Sequence, residues 1–436
     1  MPNTQMHLML MMMNTPITHV AQSWADPADG QLAGLSDFGF WKDVAKTLER
    51  GFFDGIFFAD TPAANDQYKG GPETSIRYGI TWPTQDPFAL IAVMASVTER
   101  LGFGVTLSTN GNPPYLAVRR LSTLDAMSRG RIGWNIVTGH MQAEHLAVGG
   151  SLVDHDLRYE MADEYMEVCN ALWASIQPGG LPMDAATGIF GDPDKVRIVN
   201  HEGRFFKCRA VAPTLPSPQG RPVIFQAGSS GRGLEFAMKH AEAVFSIQPT
   251  VAGMKKQLDN YRVAREQHGR QDDVRVLFGV QVILGSSDEE AHRTVATLAD
   301  RVPLDAGLSR LSGPLGLDLS KFDPDQPLTG VETQASRGML AALSGETDGN
   351  PLTLRQMAQR MGVSSGLHQV IGGPETVADR LQEIWETTGC FGFNISPGIM
   401  PGTVTDFVDH VVPILQKRGV FRSGYPGTTF RDTLLS

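Results

Sequence analysis

Pro222 to Gln226 is a short apolar run of strand length, followed by the small residues Ala227, Gly228, Ser229, Ser230 and Gly231. From Gly233 onward, Leu234, Glu235, Phe236, Ala237 and Met238 read as a helix. A buried strand that turns through small residues into a helix presents free backbone N–H groups and the positive end of a dipole, which suits a phosphate or another anion. Ser229 and Ser230 add hydroxyl donors, and Gly228, Gly231 and Gly233 let the backbone come close to a ligand. The same strand–turn–helix also occurs with no ligand, so the polar residues that close the other apolar runs must decide. They are His19, Asp60, Thr109, the stretch Asn135 to His140 (which includes Val137, Thr138 and Gly139), Gln248 and Asn394. Asp60 either caps its own loop or accepts hydrogen bonds from a ring N–H of a ligand. Asn135 lies inside Arg131-Ile-Gly-Trp-Asn-Ile-Val137, where a buried amide needs partners, and a ligand is the favoured one. His19 and His140 are either solvated loop residues or groups that polarise a substrate and move a proton near neutral pH. His155 to Tyr165 opens a helix, with Asp156 as the expected cap, and brings the Tyr159 hydroxyl beside the same anion as Ser230.

Several chemistries are disfavoured. The chain has 11 His but no H-E-x-x-H or similar spacing, so no metal site is expected. It has no G-x-S-x-G elbow for a serine hydrolase, and no G-x-G-x-x-G after its first apolar run for a dinucleotide. A net charge of −10 without a basic cluster argues against nucleic acid. Cys169, Cys208 and Cys390 are widely spaced and fit reduced thiols in a cytoplasmic protein. Leu8 to Met13 is apolar, but it lacks a basic n-region and is broken by Asn14, Pro16 and His19; it reads as a buried strand, not a signal or membrane segment.

The elements that would position these groups alternate regularly. Strands are expected at His7–Met13, Asp54–Asp60, Phe103–Ser108, Arg131–Val137, Val223–Gln226, Ala243–Ile247, Val274–Leu284 and Cys390–Ile395. Helices are expected from Ser36-Asp37 to Gly51, and over Pro87–Leu101, Pro114–Met127, Leu157–Ala174, Gly233–His240 and Met254–Gln267. Three more are expected after Ser286 and over Pro374–Thr387 and Val404–Gln416. Eight strand–helix units imply parallel strands with right-handed crossovers and an α/β (β/α)8 TIM barrel; an open doubly wound sheet is the alternative. Residues 1–436 are read as one barrel domain, with insertions at Gln177–Gly220, containing a hairpin around Val196–Phe206, and at Pro303–Leu367, with helical pieces at Ala335–Leu343 and Leu354–Met361.

The motifs Phe57-Phe-Ala-Asp60, Ser108-Thr109 before Pro114-Tyr115, Arg129-Gly-Arg-Ile-Gly-Trp-Asn-Ile-Val-Thr138, Arg158-Tyr159 and Gln226-Ala-Gly-Ser-Ser-Gly231 recur in this order and spacing in one family. The chain resembles the flavin-dependent monooxygenases of the bacterial-luciferase superfamily, in the branch of nitrilotriacetate, EDTA, dibenzothiophene-sulfone and long-chain-alkane monooxygenases. The resemblance covers nearly the whole chain. It implies a luciferase-like TIM barrel that binds reduced FMN non-covalently, supplied by a separate NADH- or NADPH-dependent flavin reductase. It also implies insertion of one atom of O2, through a flavin hydroperoxide, into a small hydrophobic or organosulfur substrate. By residue, it places Asp60 and Asn135 near the flavin ring or ribityl chain, Thr109 and Val137 along the ring, and Tyr159, Ser229 and Ser230 at the phosphate. Thr138, Gly139, Ala227 and Gly228 complete the cofactor contacts. Gly139 stands where the family usually has Ser, which removes a hydroxyl and leaves a backbone N–H or a water. His19 and His140 become the candidate catalytic groups, and Thr18 to Trp24 is similar to an early segment of the aryl-sulfone members. A homodimer or homotetramer is implied. The competing readings are a deazaflavin-dependent dehydrogenase on the same barrel and a flavin-binding protein without catalysis.

Overall fold

Six consecutive buried residues, His7–Met12, form the first strand, β1. Its side chains alternate between two environments, as strand geometry requires. Leu8, Leu10 and Met12 pack outward against Trp41, Val44, Ala45 and Leu48 of the helix Phe38–Arg50. Met9 and Met11 join an inner cluster with Phe57, Phe225, Phe245 and Leu277. The computed structural model describes residues 5–228, 231–270, 274–328, 340 and 351–436.

The remaining strands are β2 (Gly55–Phe58), β3 (Gly102–Ser108), β4 (Ile132–Val137), β5 (Val199–Glu202), β6 (Lys207–Ala210), β7 (Val223–Gln226), β8 (Ala243–Ser246), β9 (Arg275–Leu284), β10 (His368–Gly372) and β11 (Gly392–Pro397). The order β9-β11-β1-β2-β3-β4-β7-β8, with β8 pairing back onto β9, closes an eight-stranded parallel barrel. The expected (β/α)8 TIM barrel is therefore the fold, and the open sheet is not. β10 was not expected: it pairs with Val280–Leu284 of β9, beyond the stretch that β8 occupies, and raises the barrel wall on that side.

Several boundaries differ from expectation for identifiable reasons. The helix from Pro87 ends at Ala95, not Leu101. Glu49 accepts the N–H groups of Glu99, Arg100 and Leu101, and Arg131 donates to the carbonyls of Ala95, Thr98 and Leu101, so side chains satisfy the groups a longer helix would have paired. The hairpin is β5–β6, displaced from Val196–Phe206; Glu164 anchors it by accepting from Phe205 and Phe206 N–H and pairing with His201. The loop Thr61–Asp86 contains a helix, Glu73–Tyr78. The long helix starts at His155, after Asp154, so Asp156 lies inside its first turn and does not cap it.

In the second insertion, Leu304–Leu315 is a helix that the sequence reading missed, because Gly307, Gly313 and Pro314 resemble breakers. Tertiary packing explains the glycine: a Cβ at Gly307 would lie 2.3 Å from the Ala358 carbonyl oxygen on the helix Leu354–Ser364. That second helix, which Thr353 and Gln356 cap reciprocally, matches the expected piece at Leu354–Met361. The piece expected at Ala335–Leu343 lies outside the described residues apart from Leu340. The short helix Phe430–Leu434 seals the barrel's N-terminal end, with Phe430 stacked on Phe225. No described helix is long and apolar enough to cross a membrane.

Candidate active site

The C-terminal ends of the strands carry polar groups above an apolar floor made by Phe57, Phe225 and Phe245; the ring centroids of Phe225 and Phe245 lie 5.7 and 5.6 Å from that of Phe57. One sector of this mouth is formed by β2, β3, β4 and β7. There the Tyr159 hydroxyl approaches the side chains of Gln226 and Thr138. It lies at the start of the helix Gly231–His240, where a Cβ at Gly233 would sit 2.8 Å from it. A Cβ at Gly228 would lie 2.2 Å from the Gly233 carbonyl oxygen, so this close turn admits only glycine there. Gly228 donates its N–H to Gln226 and accepts from the Tyr261 hydroxyl. Ala227 is exposed at the mouth, whereas Ser229 and Ser230 lie outside the described residues. Burial pushes the Tyr159 phenol up, which keeps it a proton donor.

Asn135 faces into the barrel from mid-β4 and is 5% exposed. Its Nδ2 donates to Thr106 Oγ1 at 2.9 Å, and Thr106 donates to the Phe58 carbonyl at 2.8 Å. The amide is thereby fixed in one orientation, with Oδ1 buried and unpartnered. Val137, two residues on, shares this face. Thr109 donates its N–H to the Val137 carbonyl, and with Thr138 it lines a cavity of about 440 Å³. Asn110, Asn112, His145, Arg158, Phe206 and Lys207 also border this cavity.

Titratable groups cluster at the same rim. Burial, reinforced by Asp86, raises the Asp60 carboxyl to about 6, while Thr84 donates to it at 3.3 Å. Burial and the nearby Asp60 charge raise Glu144 to about 7. His140 is part-exposed by area, yet desolvation of its ring, with Arg158 and His145 adding positive charge, lowers it to about 4. It is a neutral imidazole at pH 7 and can accept a proton or a hydrogen bond. Gly139 has φ +68°, its carbonyl accepts from Arg158, and a Cβ there would lie 2.9 Å from His145 Nε2. The serine expected at this place would be strained, so glycine follows from the local backbone.

The opposite sector belongs to β9, β11 and β1. His19 is 4% exposed and its Nδ1 hydrogen-bonds Ser396 Oγ on β11. Burial, then the charge of Arg310, holds its pKa well below that of a free imidazole. Arg310, on the insertion helix Leu304–Leu315, donates Nη2 to the Thr18 carbonyl. Gln281 of β9 donates to the Val363 carbonyl and accepts from Gln369 of β10, which ties the insertion to the barrel. Gln248, expected at a strand end, is part-exposed just beyond β8. Asn394 lies deeper than its expected place at a strand end, because β11 runs on to Pro397, and both its amide atoms are buried without partners.

The structure thus gathers Asp60, Asn135, Val137, Thr138, Gly139, His140 and Tyr159 on one side of the mouth and sets His19 in the other sector. Glu144, His145, Arg310 and Ser396 escaped the sequence reading. Ser396 was detectable by alternation from Asn394 on the inward face; Arg310 was not, since its segment carries no clear period. Among the described residues, no group of three or more His, Cys, Asp or Glu could hold a metal ion.

Comparison with known proteins agrees with this architecture. Residues 13–390 match the family model described as luciferase-like monooxygenase. The chain is 37% identical to a dimethyl-sulfide monooxygenase of Hyphomicrobium sulfonivorans over 95% of its own length and 87% of that protein. It is 36% identical to nitrilotriacetate monooxygenase component A of Aminobacter aminovorans, over 94% of this chain and 92% of that one. A solved riboflavin lyase, with modified FMN and riboflavin, superposes with a TM-score of 0.92 at 33% identity, covering 99% of this chain and 96% of that one. The protein is an oxidoreductase of the flavin-dependent monooxygenase class, and the chain belongs to the luciferase-like monooxygenase family.

Proposed function

We propose that the protein is the oxygenase component of a two-component system. It takes reduced FMN from a separate NADH- or NADPH-dependent flavin reductase and uses O2 to transfer one oxygen atom to a small apolar or organosulfur compound. The observation that carries this reading is the convergence of Tyr159, Thr138 and Gln226 on the start of a helix, beside the unpartnered acceptor of Asn135. That donor and acceptor set fits FMN. The Tyr159 phenol and the helix N-terminus would hold the phosphate, with Thr138, Gly139, Ala227, Gly228, Ser229 and Ser230 around it. Asn135 Oδ1 and Asp60 would accept from the ring or ribityl hydroxyls, and Thr109 and Val137 would flank the ring. Reduced FMN, when bound, supplies the electrons that activate O2.

The chain's own residues then have three tasks. Phe57, Phe225 and Phe245 keep water from the floor of the site. Asn135, locked by Thr106, presents an acceptor that needs no reorganisation. His19 in the sector of β9, β11 and β1, and His140 at the rim that holds Asp60 and Tyr159, are both held neutral and would accept or relay a proton. Similarity to nitrilotriacetate monooxygenase component A, one component of a larger system, supports a partner reductase.

The test is oxygen uptake and peroxide release with FMN, NADH and a flavin reductase, across a panel of dialkyl sulfides, aryl sulfones, alkanes and carboxylic acids with thioether or alkyl bodies. One compound should raise oxygen use while peroxide falls. Failure of every compound to couple, together with reduction of a deazaflavin by an alcohol, would overturn the reading.

A further inference from the structure

Arg310 is 6% exposed, and its Nη1 is buried with no hydrogen-bond partner. Among the described residues it forms no ion pair; its sole hydrogen bond runs from Nη2 to the Thr18 carbonyl. Burying a cation without a counter-charge is expensive, and a guanidinium cannot escape by losing its proton. Nor can the side chain swing out, because its helix is fixed on both flanks. Ala306 packs with Ile17, Ala21 and Ile80. The Ser309 carbonyl accepts from Asn65, and Asp305 accepts from Tyr68 and Lys69 at 2.8 Å. Toward the barrel, the Thr18 carbonyl that Arg310 holds directly precedes His19, whose ring bonds Ser396 near the end of β11. A fixed cation with a free donor, next to an imidazole at the substrate side of the mouth, is a recognition element that lacks its anion.

We propose that Arg310 determines substrate specificity: its free Nη1 binds an oxyanion on the substrate, which is therefore an organic acid with an apolar body and not a neutral hydrocarbon or sulfide. This rests on the oxygenase reading above and refines its substrate class to one bearing a carboxylate or similar group. Arg310 in this role binds and orients; it takes no proton and breaks no bond.

The probes are butyrate and 4-(butylthio)butanoate, each against its uncharged amide. They are titrated by calorimetry into protein saturated with oxidised FMN, so that the phosphate site is already filled. Wild type should bind the acids at least about thirty-fold more tightly than the amides, the low end for losing one partner of a buried charge pair. Arg310→Gln should abolish the preference, and Arg310→Lys, which keeps the charge, should retain part of it with a native melting profile. Equal binding of acid and amide, binding of neither, or an unchanged preference in Arg310→Gln overturns the proposal. In the reductase-coupled oxygen assay, neutral sulfides oxygenated as well as thioether acids by wild type and Arg310→Gln alike would sink the proposal and leave the oxygenase intact. An acid preference in binding with no oxygenation of any compound would do the reverse.

Discussion

At Tyr159 a single hydroxyl sits where three elements meet: the helix His155–Trp173 that carries it, the end of β4 at Thr138, and β7 at Gln226. Tyr159→Phe should weaken FMN about tenfold or more, the range of a hydrogen bond to a charged group. Riboflavin, which lacks the phosphate, should bind the variant and wild type equally in the same fluorescence titration. Glu144 gives a prediction in pH. Its carboxyl, 5% exposed, is raised by burial to about 7. The folded state therefore holds a proton that the unfolded chain has already released. Its contribution is fully present below about pH 4.5 and is lost as pH rises toward 7, by on the order of 2–3 kcal/mol. Glu144→Gln should flatten that share of the slope in urea melts between pH 5 and 8 and melt higher than wild type at pH 8. Asp60, raised by burial to about 6, slopes the same way and remains in the variant.

At the scale of elements, the two insertions are tied to the mouth by different contacts. Glu164 holds the first through the backbone of its hairpin. The second meets the loop Thr61–Asp86 where Asp305 accepts from both Tyr68 and Lys69. These bonds are part-exposed, so they contribute little to global stability. Their loss should instead loosen the cover over the site. Asp305→Ala is expected to raise the fraction of oxygen released as peroxide severalfold with unchanged FMN affinity. Equal coupling in the variant would show that this contact does not guard the site. The helix that carries Asp305 was not legible in the sequence. Gly307 and Gly313 read as interruptions until Ala358 and Asn65 are seen to occupy the space their side chains would need.

Across the whole molecule, function and stability separate along the barrel axis. The mouth carries groups that another side chain or partner could not replace, such as Gly139 at φ +68°, and the unpartnered oxygen of Asn135. The opposite end is closed. There Asp54 bonds His7 and Arg422 at 2.8 Å, and Phe430 fills the opening. A Cβ at Gly102 would lie 2.1 Å from the Phe430 ring, so glycine there is the space into which the plug fits. Phe430→Ala should cost about 3–5 kcal/mol in denaturant melts, as expected for a buried aromatic. FMN affinity should stay close to wild type in whatever fraction remains folded.

The sequence by itself determined the barrel, because eight apolar runs too uniform for one-sided sheets must be covered on both faces, and helices between them impose parallel order. It also named most of one side of the mouth, since Asp60, Asn135, Thr138 and Tyr159 interrupt or follow those runs and polar residues there need a reason. Only the tertiary structure decided the other side. His19 and Ser396 lie 377 residues apart, and Arg310 reaches Thr18 across 292. No local period links them. What brings them together is ring closure, which sets β11 beside β1, and the packing of a glycine-bearing helix that becomes stable only against its neighbour.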